Sequence, residues 1–119
     1  MLYTRKCGEI ADGDFGTEQT LCGWLQDTRN LGGIAFLQLR DITGIIQLTL
    51  LKKKLGDNFK QWANINRESV IQVTGIVKEN KEAPGGVEML PEKLEVLNLM
   101  ILNQMTFSLM NPIFLIQVF

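Results

Sequence analysis

Residues 28 to 50, TRNLGGIAFLQLRDITGIIQLTL, alternate with a period of two. One parity carries Ala35, Leu37 and Leu39, then Ile46, Leu48 and Leu50, a set fit for a core. The other carries Ile34, Phe36, Gln38 and Arg40, then Ile45, Gln47 and Thr49. Successive side chains of a strand point to opposite faces. The pattern therefore predicts two strands, Ile34 to Arg40 and Ile45 to Leu51, hairpinned through Asp41-Ile42-Thr43-Gly44. QTLCGWLQDT, from Gln19 to about Thr28, predicts a strand before them, and Gly23 inside it predicts a bulge or tight bend. The period then lengthens. Leu55, Phe59, Trp62 and Ala63 recur at helical spacing and predict an apolar helical stripe. SVIQVTGIVKEN returns to alternation, with Val70, Gln72 and Thr74 against Ile71, Val73 and Gly75. After the turn-forming loop NKEAPGG come VEML and PEKLEVLNL, which predict a fifth strand broken by Pro91. Residues 1 to 17 predict a brief helix or arm.

Three strands, a helix and two more strands, with a glycine in the first, form a recognised layout. It is that of an all-β, five-stranded OB-fold Greek-key barrel with a helix between strands 3 and 4. A generic α+β sandwich is the alternative. This unit takes residues 1–98 and leaves an uncharged apolar tail at 99–119. The stretch from Val96 onward is long enough for a membrane span, yet Asn98, Asn103, Gln104, Ser108, Asn111, Pro112 and Gln117 make it a poor one. A buried strand, an oligomer contact or a segment foreign to the fold are the other readings of it.

Composition narrows the function classes. A chain of 119 residues makes one domain, and 45% hydrophobic with 21% charged residues fits a globular one. The net charge of −1 means that any nucleic-acid binding must come from local charge and stacking. The absence of histidine removes Ser-His and Cys-His nucleophilic pairs and His-ligated zinc. Cys7 and Cys22 have no C-x-x-C spacing; the plainer reading is two reduced thiols in a cytosolic protein, with a disulfide left open. MLYTRKCGEI lacks the apolar region of a secretory signal.

On an OB barrel, the outward face of strands one to three is the usual nucleic-acid platform. Phe36 on that face offers a π-surface to an unstacked base, and the Gln47 amide can donate and accept along a base edge. Arg29 could meet a phosphate or a base edge, and Arg40 shares the Phe36 face. The alternative reading makes Phe36 part of a small apolar cluster with Ile34 and Ile45, and has Arg40-Asp41 pair together or cap the turn. Lys52-Lys53-Lys54 is the one basic run; a solvated helix entrance is the plainer reading, a phosphate contact the sharper one. Glu88 can accept from a base amino group or merely solubilise an edge strand. Nothing supports catalysis: there is no phosphate loop leading into a helix, no paired carboxylates in a plausible cleft and no base for a nucleophile.

The segments LCGWLQDTRNLGGIAFLQLRDITGIIQL, RESVIQVTGIV and APGGVEMLPEKLEVLN closely resemble the N-terminal anticodon-binding domain of aspartyl-tRNA synthetases. The short loop before VEMLPEK is similar to archaeal members. Asparaginyl-tRNA synthetases share much of the motif, and Leu31-Gly32-Gly33 favours the aspartyl side. The resemblance implies a cytoplasmic protein that binds the splayed bases of a tRNA anticodon. It places the stacking aromatic on Phe36, facing a middle uridine, and the edge-reading glutamine on Gln47. It places an arginine near the bases and backbone on Arg29, and an acidic residue on Glu88. Gln26 and the loop at Ala83-Pro84-Gly85 fall where members differ in telling aspartate tRNA from asparagine tRNA. The class II core, which binds ATP and magnesium, has no counterpart in these 119 residues, so the resemblance implies no catalytic residue, metal or cofactor for this chain. The tail ILNQMTFSLMNPIFLIQVF does not look like the family's linker. Two rivals remain: a generic single-strand binder, and an interaction module that self-associates through residues 99–119.

Overall fold

The computed structural model describes residues 3–97. The chain passes through two 3-10 turns, Cys7–Glu9 and Asp12–Asp14, into β1 (Glu18–Asn30), β2 (Ile34–Asp41) and β3 (Gly44–Leu51). Two short helices follow, α1 (Lys52–Leu55) and α2 (Asp57–Ala63), then β4 (Val70–Glu79) and β5 (Val87–Leu97). A third 3-10 turn, Pro84–Gly86, lies between the last two strands. The strands close into a barrel in the order β1-β2-β3-β5-β4, with β4 returning to β1. β3 and β5 pair in parallel, through Gln47–Glu88 and Leu48–Met89, and the other neighbours are antiparallel. This is the five-stranded OB-fold expected from the sequence pattern.

The core follows the alternation. Ala35, Leu37, Leu39, Ile46, Leu48 and Leu50 are all fully buried, and Leu21, Leu25, Ile71, Val73, Val77 and Met89 complete the interior. Each buried leucine contributes on the order of 2 kcal/mol relative to exposure, so the parity of these strands is strongly fixed. The helical stripe joins the same core: Phe59, Trp62 and Ala63 are buried and Leu55 packs beside them. The single helix expected there is two, because Gly56 takes a left-handed φ of +58° and ends α1. Cys7 and Cys22 are both buried, as free thiols.

Two local expectations are corrected. The bulge of β1 is at Gln26, not Gly23: the ladder passes from Leu25–Leu39 to Asp27–Gln38 and leaves Gln26 as the extra residue. Gly23 instead permits a close approach, since a side chain there would run into the carbonyl of Arg40. Pro91 does not break the fifth strand. The ladder with β4 steps from Gly75–Pro91 to Thr74–Lys93, so Glu92 bulges beside the proline, and a bulge is where a strand tolerates a missing N–H. The brief helix or arm expected at the N-terminus is an arm with two 3-10 turns. The expectations for residues 99–119, a membrane span and self-association among them, lie outside the described residues. Among the described residues no helix is long and apolar enough to cross a membrane.

Candidate nucleic-acid interface

The Gln26 bulge decides what β1 presents. Up to Leu25 the odd positions Leu21 and Leu25 point into the core. One extra residue reverses that parity, so Asp27 and Arg29 turn outward beside Gln38 and Phe36. Across the barrel wall the outward rows are then Arg29, Phe36 and Thr49 in one line, and Asp27, Gln38, Gln47 and Glu88 in the next.

These rows, with the β4–β5 connection folding over them, enclose a cavity of about 330 Å³. It is lined by Asp27, Arg29, Phe36, Gln38, Gln47, Asn80 and Glu82. Phe36, Gln38 and Gln47 are half-buried and Arg29 is exposed, which leaves a ring face and a guanidinium open to a ligand. Three of the residues singled out from sequence, Arg29, Phe36 and Gln47, therefore meet at one place.

The others stand around it. Glu88 lies across from Gln47 and accepts through Oε1 from Thr49 Oγ1 at 2.6 Å and Asn80 Nδ2 at 3.0 Å. Asn80 also takes the Glu82 N–H on Oδ1 at 3.0 Å, so one side chain ties the loop to the Glu88 carboxylate. Gln47 Nε2 donates to Thr49 Oγ1 at 3.2 Å. Gln26 accepts from Arg40 Nη1 at 2.6 Å and reaches Gln38 Oε1 at 3.4 Å, a position behind the cavity wall. Pro84 opens the exposed 3-10 turn and does not line the cavity. Arg40 is held by Gln26, while Asp41 caps the turn through the N–H groups of Thr43 at 2.7 Å and Gly44 at 3.2 Å.

Sequence reasoning passed over Asp27, Asn80 and Glu82 and named Gln38 only as sharing the Phe36 face. Asp27 was hidden by the bulge, and the two loop residues by the fold of the connection. Asp27 bonds Arg67 Nη2 at 2.6 Å, and this bond, with the Thr28 N–H, holds its carboxyl below the usual range and keeps it an acceptor. The cavity thus combines an aromatic face, one guanidinium, three amides and two carboxylates. Such a set offers a surface to stack on, with donors and acceptors at its edge. Among the described residues no cluster of three or more acidic, cysteine or histidine side chains could hold a metal.

The family model of an OB-fold nucleic acid binding domain matches residues 19–97. The aspartate–tRNA(Asp/Asn) ligase of Methanopyrus kandleri is 50% identical over 99 residues, 82% of this chain and 23% of that protein. The aspartate–tRNA(Asp) ligase of Pyrococcus furiosus is 41% identical over 99 residues, again 82% of this chain. The chain spans about a quarter of the length of these relatives. The crystal structure of asparaginyl-tRNA synthetase from Pyrococcus horikoshii matches with a TM-score of 0.76 and 37% identity, over 82% of this chain and 24% of that one. An OBody, AM3L09, bound to hen egg-white lysozyme matches with a TM-score of 0.73 and 27% identity, over 81% of this chain and 95% of that one.

Proposed function

This chain belongs to the family of OB-fold nucleic acid binding domains, and from that membership we propose that it binds the anticodon loop of a tRNA in the cavity at Phe36. The reading rests on one observation above the rest. Arg29, Phe36 and Gln47 line a single cavity on the barrel face that OB-folds use for nucleic acid. In this reading Phe36 stacks on the middle base, a uridine, while Gln47 hydrogen-bonds its edge. Arg29 meets the base edges or the backbone, and Glu88 accepts from a base amino group. Gln26 and the Ala83-Pro84-Gly85 turn, near the cavity but not lining it, bear on how aspartate and asparagine tRNAs are told apart. The RNA-binding unit is residues 1–98, and the ligation of aspartate to tRNA belongs to the longer relatives with ATP and magnesium. A cytoplasmic setting goes with that role.

The test is a fluorescence titration against anticodon stem-loops of aspartate, asparagine and one unrelated tRNA. Phe36→Ala is expected to weaken cognate binding by about 1–3 kcal/mol with an unchanged circular dichroism spectrum, because a stacked base is worth that much. Equal affinity for wild type and variant would remove Phe36 from the site. Gln47→Ala is expected to lose the preference for uridine at the middle position while keeping most of the affinity. A uniform loss over all four middle bases would count against edge reading. Indifference to every RNA, with size that grows with concentration, would favour a protein-interaction module instead.

A further inference from the structure

The cavity accounts for Arg29 but leaves the basic run Lys52-Lys53-Lys54 without a role. All three side chains are exposed, and among the described residues none makes an ion pair. Their placement is specific. Ile34 pairs with Leu51 two positions beyond the Phe36–Thr49 pair, on the same outward side and about 7 Å further along the strands. There, Gly33, Leu51 and the three lysines line a second depression of about 370 Å³. The Lys52 N–H donates to the Gly33 carbonyl at 3.1 Å, which ties the start of the run to the β1–β2 loop. Lys52 also borders a groove shared with Asn30, the residue after Arg29.

From this arrangement we propose that Lys52, Lys53 and Lys54 form a phosphate-binding extension of the RNA site, taking the backbone that flanks the anticodon bases. A strand seated on Phe36 and passing Arg29 leaves the cavity over the Ile34–Leu51 step and arrives at the lysines. With a net charge of −1, the chain can attract a polyanion only where cations are gathered, and three consecutive ones lie on that line. The inference rests on the anticodon reading and extends it from the bases to the backbone.

The experiment compares the full chain with its Lys52→Ala/Lys53→Ala/Lys54→Ala variant, binding an anticodon stem-loop and the bare anticodon trinucleotide across a series of salt concentrations. Alanine keeps the helix propensity of α1. The variant is expected to bind the stem-loop more weakly, with a log–log salt slope shallower by about 2, since each neutralised phosphate of a single strand contributes about 0.7. Its affinity for the trinucleotide and its ranking of middle bases are expected to stay as in wild type. An unchanged stem-loop slope, or an equal loss on the trinucleotide, would overturn the extension while the Phe36 site stands. A wild-type chain that prefers no anticodon stem-loop would overturn the function reading, and this one with it.

Discussion

Asp41 shows how one side chain can fix the barrel without entering the site. It is 2% exposed and accepts from the backbone N–H groups of Cys7 at 2.7 Å, Thr43 at 2.7 Å and Gly44 at 3.2 Å. It therefore shapes the β2–β3 turn and pins the N-terminal arm to it in one move. Asp41→Ala leaves those donors without their acceptor and is expected to cost roughly 2–4 kcal/mol, read from urea unfolding midpoints. Asp41 also acts on the two thiols beside it. Burial, then the Asp41 charge, pushes Cys22 from 9.0 up to about 12, and burial with Asp41 pushes Cys7 further up. Both thiols keep their protons in the fold where the unfolded chain would release them. Stability is thus full below pH 9 and falls as pH climbs toward 12, by up to about 1.4 kcal/mol per pH unit for each thiol. Cys22→Ala is expected to flatten that fall between pH 9 and 11 in thermal melts. An identical slope in the variant would assign the loss to other groups.

At the level of elements, two bulges separate what the sequence disclosed from what it hid. The hairpin of β2 and β3 was legible residue by residue, because strict alternation over two runs leaves only one parity that buries Leu37, Leu39, Ile46 and Leu48. Phe36 and Gln47 followed from the same parity. β1 was not legible in this way: nothing in LQDT marks Gln26 as the extra residue, so the outward turn of Asp27 and Arg29 appears only in the ladder. Arg29 was singled out by its charge beside the loop and again by the family motif, not by parity. Asn80 and Glu82 sit in a connection whose path depends on long-range pairing, which alternation cannot encode. In β4, Gly75 lies opposite Pro91, next to the second bulge at Glu92 of β5. A side chain at Gly75 would meet the Leu90 carbonyl and the Pro91 backbone, neither of which can yield as a flexible side chain would. Gly75→Ala is expected to destabilise the barrel by about 1–3 kcal/mol, visible in the urea midpoint, because β4 and β5 must separate to admit the methyl.

For the molecule as a whole, the barrel's wall and its ends have different work. The strands close into a barrel among the described residues, with β3 and β5 joined by two residue pairs, Gln47–Glu88 and Leu48–Met89. The proposed recognition surface is confined to one side, where the cavity lies on β2 and β3 and the lysine run follows at α1, just past the Ile34–Leu51 pair. The apolar segment 99–119 follows β5, which pairs with β4 as far as Leu97. If residues 1–98 are the RNA-binding unit, then removing 99–119 should leave the cavity, its ligands and the core intact. A chain cut after residue 98 is expected to match the full chain in stem-loop affinity within about 0.5 kcal/mol, the range of changes remote from a site. Sedimentation then isolates the tail's own contribution: the full chain should gain mass with concentration if 99–119 holds copies together, and the shortened chain should not. A shortened chain that loses RNA affinity would place part of the binding surface in the tail and move the domain boundary with it.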